Sequence, residues 1–444
     1  MYRRSPYFLI FIFPLLLLPL PLLSQPLELR LNVERHELRN GLQILTLEDH
    51  DLPVLSYYTF YRVGSRDENA GATGIAHLLE HLMFNGARRY GPKEFDQVLE
   101  ANGGFGNAYT TEDMTVYHES VPSDRLKLIV DLESDRMVHL QLTEDGLAKE
   151  RNVVKEERRL RTDNSVTGGV FELLHATAYT AHSYQWPVIG WMSDLDQITI
   201  EQTRAFYESY YTPENAVVVI VGDFDTNEAI RLLKTFYGPI RSRVTPIRQS
   251  TIEPGQYGER RANLHKYAEL PAVAVAYHAP AAQNVDVYAL DLFQMILAQG
   301  ESSRLHRRLV YEEQVALSVS ATYPWMLDPA LFTLYVTVTE NSDPDYVESM
   351  IYEEIDRFRT EQVEDKELQK AKNILTASFI KDLETSSGKA DRIGNHEILF
   401  GDWSAILSTP DFYESVTKDD IQRVVSTYFS ERNRTVITML PEVR

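Results

Sequence analysis

The sequence predicts an α+β chain of two homologous domains, each an antiparallel-rich sheet with helices packed on one face. Three observations predict it. The length of 444 residues exceeds what one hydrophobic core usually supports. The segment "TIEQTRAFYESYYTPENAVVVIVGDF", from Thr199, lines up without gaps against "TKDDIQRVVSTYFSERNRTVITMLPE", from Thr417, setting Tyr210 over Tyr428 and Asn215 over Asn433. Each copy reads as amphipathic helix, polar turn and β-branched strand. A looser match sets "VYHESVPSDRLKLIVDLESDRM", from Val116, against "LYVTVTENSDPDYVESMIYEEIDRF", from Leu334, both reading strand, turn and long helix. A duplicated unit of about 200 residues accounts for both matches.

Taken in chain order, residues 1–24 read as a secretory signal. Arg3 and Arg4 precede an uncharged apolar run from Tyr7 to Leu23, and Ser24 offers a small residue for cleavage. Pro14, Pro19 and Pro21 interrupt a continuous helix, which favours a removed signal over a membrane anchor formed by residues 7–23. The expected location is therefore exported, periplasmic or extracellular. Residues 25–238 form the first domain, 239–262 a linker rich in proline, glycine and scattered charge, and 263–444 the second domain.

Composition removes several function classes. The formal net charge of -21 argues against a nucleic-acid partner, which needs basic surface to displace counterions from phosphate. The chain has no cysteine, so disulfides, thiolate metal sites and cysteine nucleophiles are excluded. Metal ligands, if present, are histidine and carboxylate.

Such ligands occur together in "GIAHLLEHLMFNG", residues 74 to 86. Ile75, Leu78, Leu79, Leu82 and Met83 stand at helical spacing. Four residues are little more than one turn, so His77 and His81 project from one face with Glu80 beside them. Two imidazoles so placed can grip one divalent ion, most readily zinc, and a neighbouring carboxylate can serve as a base. A second charged segment, "EDGLAKERNVVKEERRLR", reads as a helix capped by Thr143. Its Glu150 and Glu157, seven apart, share a face; by composition alone it reads as a solvated helix.

Together these residues resemble the inverted zinc peptidases of the pitrilysin, insulinase and mitochondrial processing peptidase group. The segments "NGLQILTLEDHDLPVLSYYTFYRVGSRDE", "NAYTTEDMTVYHESVP" and "YYTPENAVVVIVGDFD" resemble stretches carried by that family in the same order. The resemblance implies a zinc-dependent endopeptidase acting on unfolded peptides, with Zn2+ on His77, His81 and Glu157 and with Glu80 as general base. It implies that Glu150 supports the zinc ligands or catalysis, that Glu156 faces away, that Asn107 and Ala108 lie on a substrate-binding edge, and that Phe84 is an apolar neighbour of the site. Some relatives are non-catalytic scaffold or chaperone-like subunits, which is the alternative function.

The second half shows no zinc set: Glu150 falls near Ala371, and His396 with Glu397 lacks a second histidine and reads as structural. It also departs from the family. Where full sites carry an Arg and, seven residues on, a Tyr, "LVYEEQVAL" has Val310 and Leu317. The expectation is a zinc-bearing subunit completed by a homologous second subunit that supplies the Arg and Tyr.

Overall fold

The computed structural model describes residues 29–242 and 251–442, so the signal segment lies outside the described residues. The first sheet contains β1 (Glu34–Glu37), β2 (Gln43–Glu48), β3 (Val54–Tyr61), β4 (Phe105–Thr110), β5 (Thr115–Pro122) and β6 (Ala216–Gly222), in the order β1-β2-β6-β3-β5-β4. Its helices are α1 (Ile75–Leu82), α2 (Glu94–Ala101), α3 (Leu126–His139), α4 (Glu144–Arg158), α5 (Val166–Ala178), α6 (Met192–Gln197), α7 (Ile200–Tyr210) and α8 (Thr226–Phe236). The second sheet contains β7 (Arg260–Tyr267), β8 (Ala272–His278), β9 (Ala316–Thr322), β10 (Leu331–Val338) and β11 (Arg434–Glu442), in the order β7-β11-β8-β10-β9. With it run α9 (Asp286–Ala298), α10 (Pro344–Thr360), α11 (Asp365–Asp382), α12 (Ser386–Phe400), α13 (Thr409–Ser415) and α14 (Lys418–Tyr428).

The duplication visible in the sequence is structural. The sheets share one topology: β2 runs parallel to β6 as β7 does to β11, and every other pairing is antiparallel. Both copies of the repeated helix open on a capping box, built on Thr199 with Gln202 and on Thr417 with Asp420. The repeated asparagines also do one job twice. Asn215 Nδ2 donates to Tyr210 O at 2.9 Å and to Arg62 O at 3.3 Å. Asn433 Nδ2 donates to Tyr428 O at 2.7 Å and to His278 O at 2.8 Å. Each ties the end of a helix to the sheet that follows it.

Within each half, helices cover one face of the sheet, as expected. The opposite face is covered by a helix from the other half. Val170, Leu174 and Ala178 of α5 join the core of the second sheet beside Val273 and Val275. Ala390 and Ile393 of α12 pack on Leu45, Phe60, Val217 and Val219 of the first. This exchange explains why β6 is a continuous apolar run: Val217, Val219 and Val221 meet α12 while Val218 and Ile220 face the helices of their own half. The approach is close at Gly394, where a Cβ would come within 2.0 Å of the Phe60 ring.

Candidate metal centre

The site is built on α1 and α4, which pack side by side. A glycine starts α1: Gly74 has φ of 88°, and a Cβ there would come within 2.6 Å of Ile189 O. Glu68 then caps the helix, its carboxylate accepting from Gly74 N at 2.8 Å and Ala76 N at 2.9 Å. Five apolar side chains, from Ile75 to Leu82, are buried and turn the polar face outward. On α4, Thr143 accepts from Gly146 N at 3.1 Å, the predicted cap.

With both helices fixed, the predicted residues converge. One donor atom from each of His77, His81 and Glu157 fits within a 4.8 Å span. His77 Nε2 lies 3.8 Å and His81 Nε2 3.4 Å from Glu157 Oε2. Glu150 lies on the other side of His81, 3.5 Å from its Nδ1, and accepts from Asn85 Nδ2 at 3.1 Å. Glu80 is buried beside them and accepts from the Thr110 hydroxyl. Glu156 faces away, with 72% of its side chain exposed and Arg159 as its partner.

Electrostatics separate these groups. Burial holds the His77 imidazole neutral, pushing it down to about 3, and His81 and Arg161 add to the effect. Burial opposes charge on His81 as well, but the hydrogen bond to Glu150 and the carboxylates of Glu80 and Glu157 outweigh it, so its pKa rises. The His81 hydrogen bond holds Glu150 below the usual carboxylate range. Burial pushes Glu80 up, against the Thr110 hydrogen bond. Two neutral-capable nitrogens and one carboxylate oxygen, converging from two rigid helices, fit a zinc-type divalent ion. Loading the ion would displace the proton that His81 otherwise attracts.

All these residues line one cleft of about 1020 Å³. Its long wall is β4, an edge strand that among the described residues pairs only with β5 and carries Asn107 and Ala108. Ala108 N donates to its neighbour's Oδ1 at 2.9 Å, and Phe105 is 66% exposed at the mouth. Phe84 lines the cleft above Arg136, whose guanidinium lies 5.5 Å from the ring. At the far end Tyr109 donates to Asp391 of α12 at 2.8 Å, so the exchanged helix reaches the same wall. Every lining residue falls between 77 and 189. Val310 instead packs on the second core, and Leu317 is 58% exposed on edge strand β9; neither lines the cleft. Sequence reasoning missed Glu68, Asn85 and Thr110. Only Asn85 carried a local signal, standing four residues beyond His81.

Duplicated α/β halves with a His–His–Glu cluster found, among the described residues, in the first alone match the class that the sequence resembles, and comparison with known proteins places the chain there. Residues 54–190 match the family described as Insulinase (Peptidase family M16), and residues 197–375 match the one described as Peptidase M16 inactive domain. The chain belongs to the M16 family of two-domain peptidases. The zinc protease PqqE of Helicobacter pylori is 31% identical over 417 residues, covering 92% of this chain and 93% of that protein. The crystal structure of a protease from Helicobacter pylori superposes with a TM-score of 0.89 at 31% identity, covering 93% of this chain and all (100%) of the other. The periplasmic protease PqqL of Escherichia coli shares the fold, with a TM-score of 0.75 at 17% identity over 94% of this chain and 48% of that one.

Proposed function

We propose that the chain is a zinc-dependent endopeptidase that hydrolyses unfolded peptides in the cleft. The observation that carries this reading is the convergence of His77, His81 and Glu157 with Glu80 beside them, along a free strand edge. Those three side chains would hold Zn2+, which when bound supplies Lewis-acid polarisation of the scissile carbonyl and acidifies water. Glu80 is the general base. Thr110 occupies its Oε2, leaving Oε1 to take a proton from the attacking water and return it to the leaving amine. Glu150 orients His81 by accepting at Nδ1. A peptide adds as a strand beside Asn107 and Ala108, so backbone hydrogen bonds give affinity with little sequence preference, and Phe84 packs below.

Residues 25–238 and 263–444 serve as the two repeat units, with the chemistry in the first. The signal-like segment supports an exported protein, periplasmic or extracellular. No helix among the described residues is long and apolar enough to cross a membrane. A cleft walled, among the described residues, only by the first half, together with Val310 and Leu317 in place of a polar pair, supports a homologous partner chain that completes the site.

The test is zinc content with cleavage of an unstructured peptide. Wild type binds one zinc; His77→Ala, His81→Ala and Glu157→Ala lose it; Glu80→Gln keeps it and loses turnover. Undiminished turnover by Glu80→Gln, measured with the partner chain if one is needed, refutes the proposal. A scaffold role would leave every one of these substitutions without effect on cleavage.

A further inference from the structure

The second half keeps a counterpart of the cleft, with its chemistry replaced. A cavity of about 510 Å³ opens between α9, α11, α12 and α13. Asp291, Gln294 and Met295 of α9 line it at the spacing that His77, Glu80 and His81 have on α1, and Gly300 follows Met295 as Gly86 follows His81, both glycines with positive φ. Ser378 lines it from α11 at the same remove from the N-cap Glu364 that Glu157 has from Thr143. The donor set His, His and Glu has become Asp, Met and Ser, and no metal cluster is found here among the described residues. The concavity is present without a metal-ligand set.

What remains is richer in acceptors than in free donors, since the Ser378 and Thr409 hydroxyls in the lining can accept as well as donate. Asp291 accepts from Tyr413 Oη at 2.6 Å and Trp325 Nε1 at 3.4 Å, and Asp391 accepts from Tyr109 at 2.8 Å, which leaves further lone pairs on each carboxylate. The one guanidinium in the wall, on Arg392, is bound to Asp382, with Nε at 3.1 Å. His396 is 4% exposed; its Nδ1 donates to Arg392 O at 2.8 Å, and its buried Nε2 has no hydrogen-bond partner. Burial holds that imidazole neutral, down to about 4, so Nε2 carries an unused lone pair. Trp325, Tyr323 and Phe379 supply aromatic surface to the same cavity. A group that only donates, carries positive charge and tolerates aromatic faces satisfies all of this.

We propose that this second cavity is a binding site for a small organic cation, an alkylammonium or guanidinium, held by Asp291, Asp391 and the His396 acceptor between aromatic walls. The site is separate from the metal centre and sits on the exchanged helix whose Asp391 holds Tyr109 of the substrate edge.

Calorimetric titration of the whole chain at pH 8, above the value of about 7 to which burial raises Asp291, tests it, with agmatine and n-butylammonium as probes and n-butanol as the uncharged control. The expected result is saturable one-site binding of the cations, none for n-butanol, at least a tenfold loss in Asp291→Asn, and unchanged binding in His77→Ala. Ser378→Trp, which fills the cavity from α11, should abolish binding, and its circular dichroism melt reports whether the fold is kept. Unsaturable binding, binding indifferent to both cavity variants, or binding lost in His77→Ala overturns the proposal.

Discussion

The Nδ1 of His81 lies 3.5 Å from Glu150 Oε2, while its Nε2 is turned to Glu157. A carboxylate behind a ligand histidine fixes the ring and raises its basicity. Glu150→Ala should therefore weaken zinc binding by about 10- to 100-fold without abolishing it. Glu156→Ala, on the exposed side of the same helix, should leave affinity unchanged. Competition against a chromophoric chelator measures both, and equal affinities for the two variants would remove Glu150 from the site.

The repeated asparagines make a prediction about stability. Each donates two hydrogen bonds from one amide across the joint between helix and sheet, and removing it strands carbonyls that water reaches poorly. Asn215→Ala and Asn433→Ala should each cost about 1–3 kcal/mol. Urea unfolding of both single variants checks this, and a cost confined to one half would show that the repeat has lost its structural equivalence.

How far these features were legible in the sequence depends on how local they are. The cap at Thr143, the polar face of α1 and the alignment of Glu150 with Glu157 follow from spacing within a turn or two, and the structure reproduces them. The reciprocal exchange of α5 and α12 was not legible, because an amphipathic stripe does not say which sheet it will cover. Its trace was the unbroken apolar run of β6, which needs two buried faces. Glu68 and Thr110 reach the site through contacts set by tertiary approach and leave no periodic mark. The assignment of Glu157 over its neighbour Glu156 came from family resemblance; composition favoured a solvated helix at both positions.

Asp291 gives a pH dependence with a defined sign. Burial raises it to about 7, against hydrogen bonds from Tyr413 and Trp325 and the charge of Arg392, whereas an ordinary aspartate titrates near 3.8. Between those values the folded chain keeps a proton that the unfolded chain has lost, so this group's contribution is complete below the lower value and is lost as pH rises toward the upper one. Asn cannot ionise. The stability of Asp291→Asn relative to wild type should therefore improve steadily from pH 4 to pH 7 and then level off. Melting temperatures of both proteins across that range check it, and a constant difference would show that Asp291 is ionised throughout.

The last prediction concerns what the chain lacks. The cleft is lined from residue 77 to residue 189, and among the described residues no side chain of the second half lines it. Val310 is spent on the second core and Leu317 stands exposed on β9, so neither offers a hydrogen bond to a substrate carbonyl. Removing one oxyanion donor commonly costs about 100- to 1000-fold in rate. The isolated chain, fully loaded with zinc, should therefore cleave an unstructured peptide slowly, and rates should rise by at least that factor when a homologous chain carrying the Arg and Tyr is added. Replacing either residue in the added chain should return the rate to that of the isolated protein. Since zinc content does not change across the series, the comparison separates a missing donor from a missing metal, and full activity from the isolated chain would show that the site is complete without a partner.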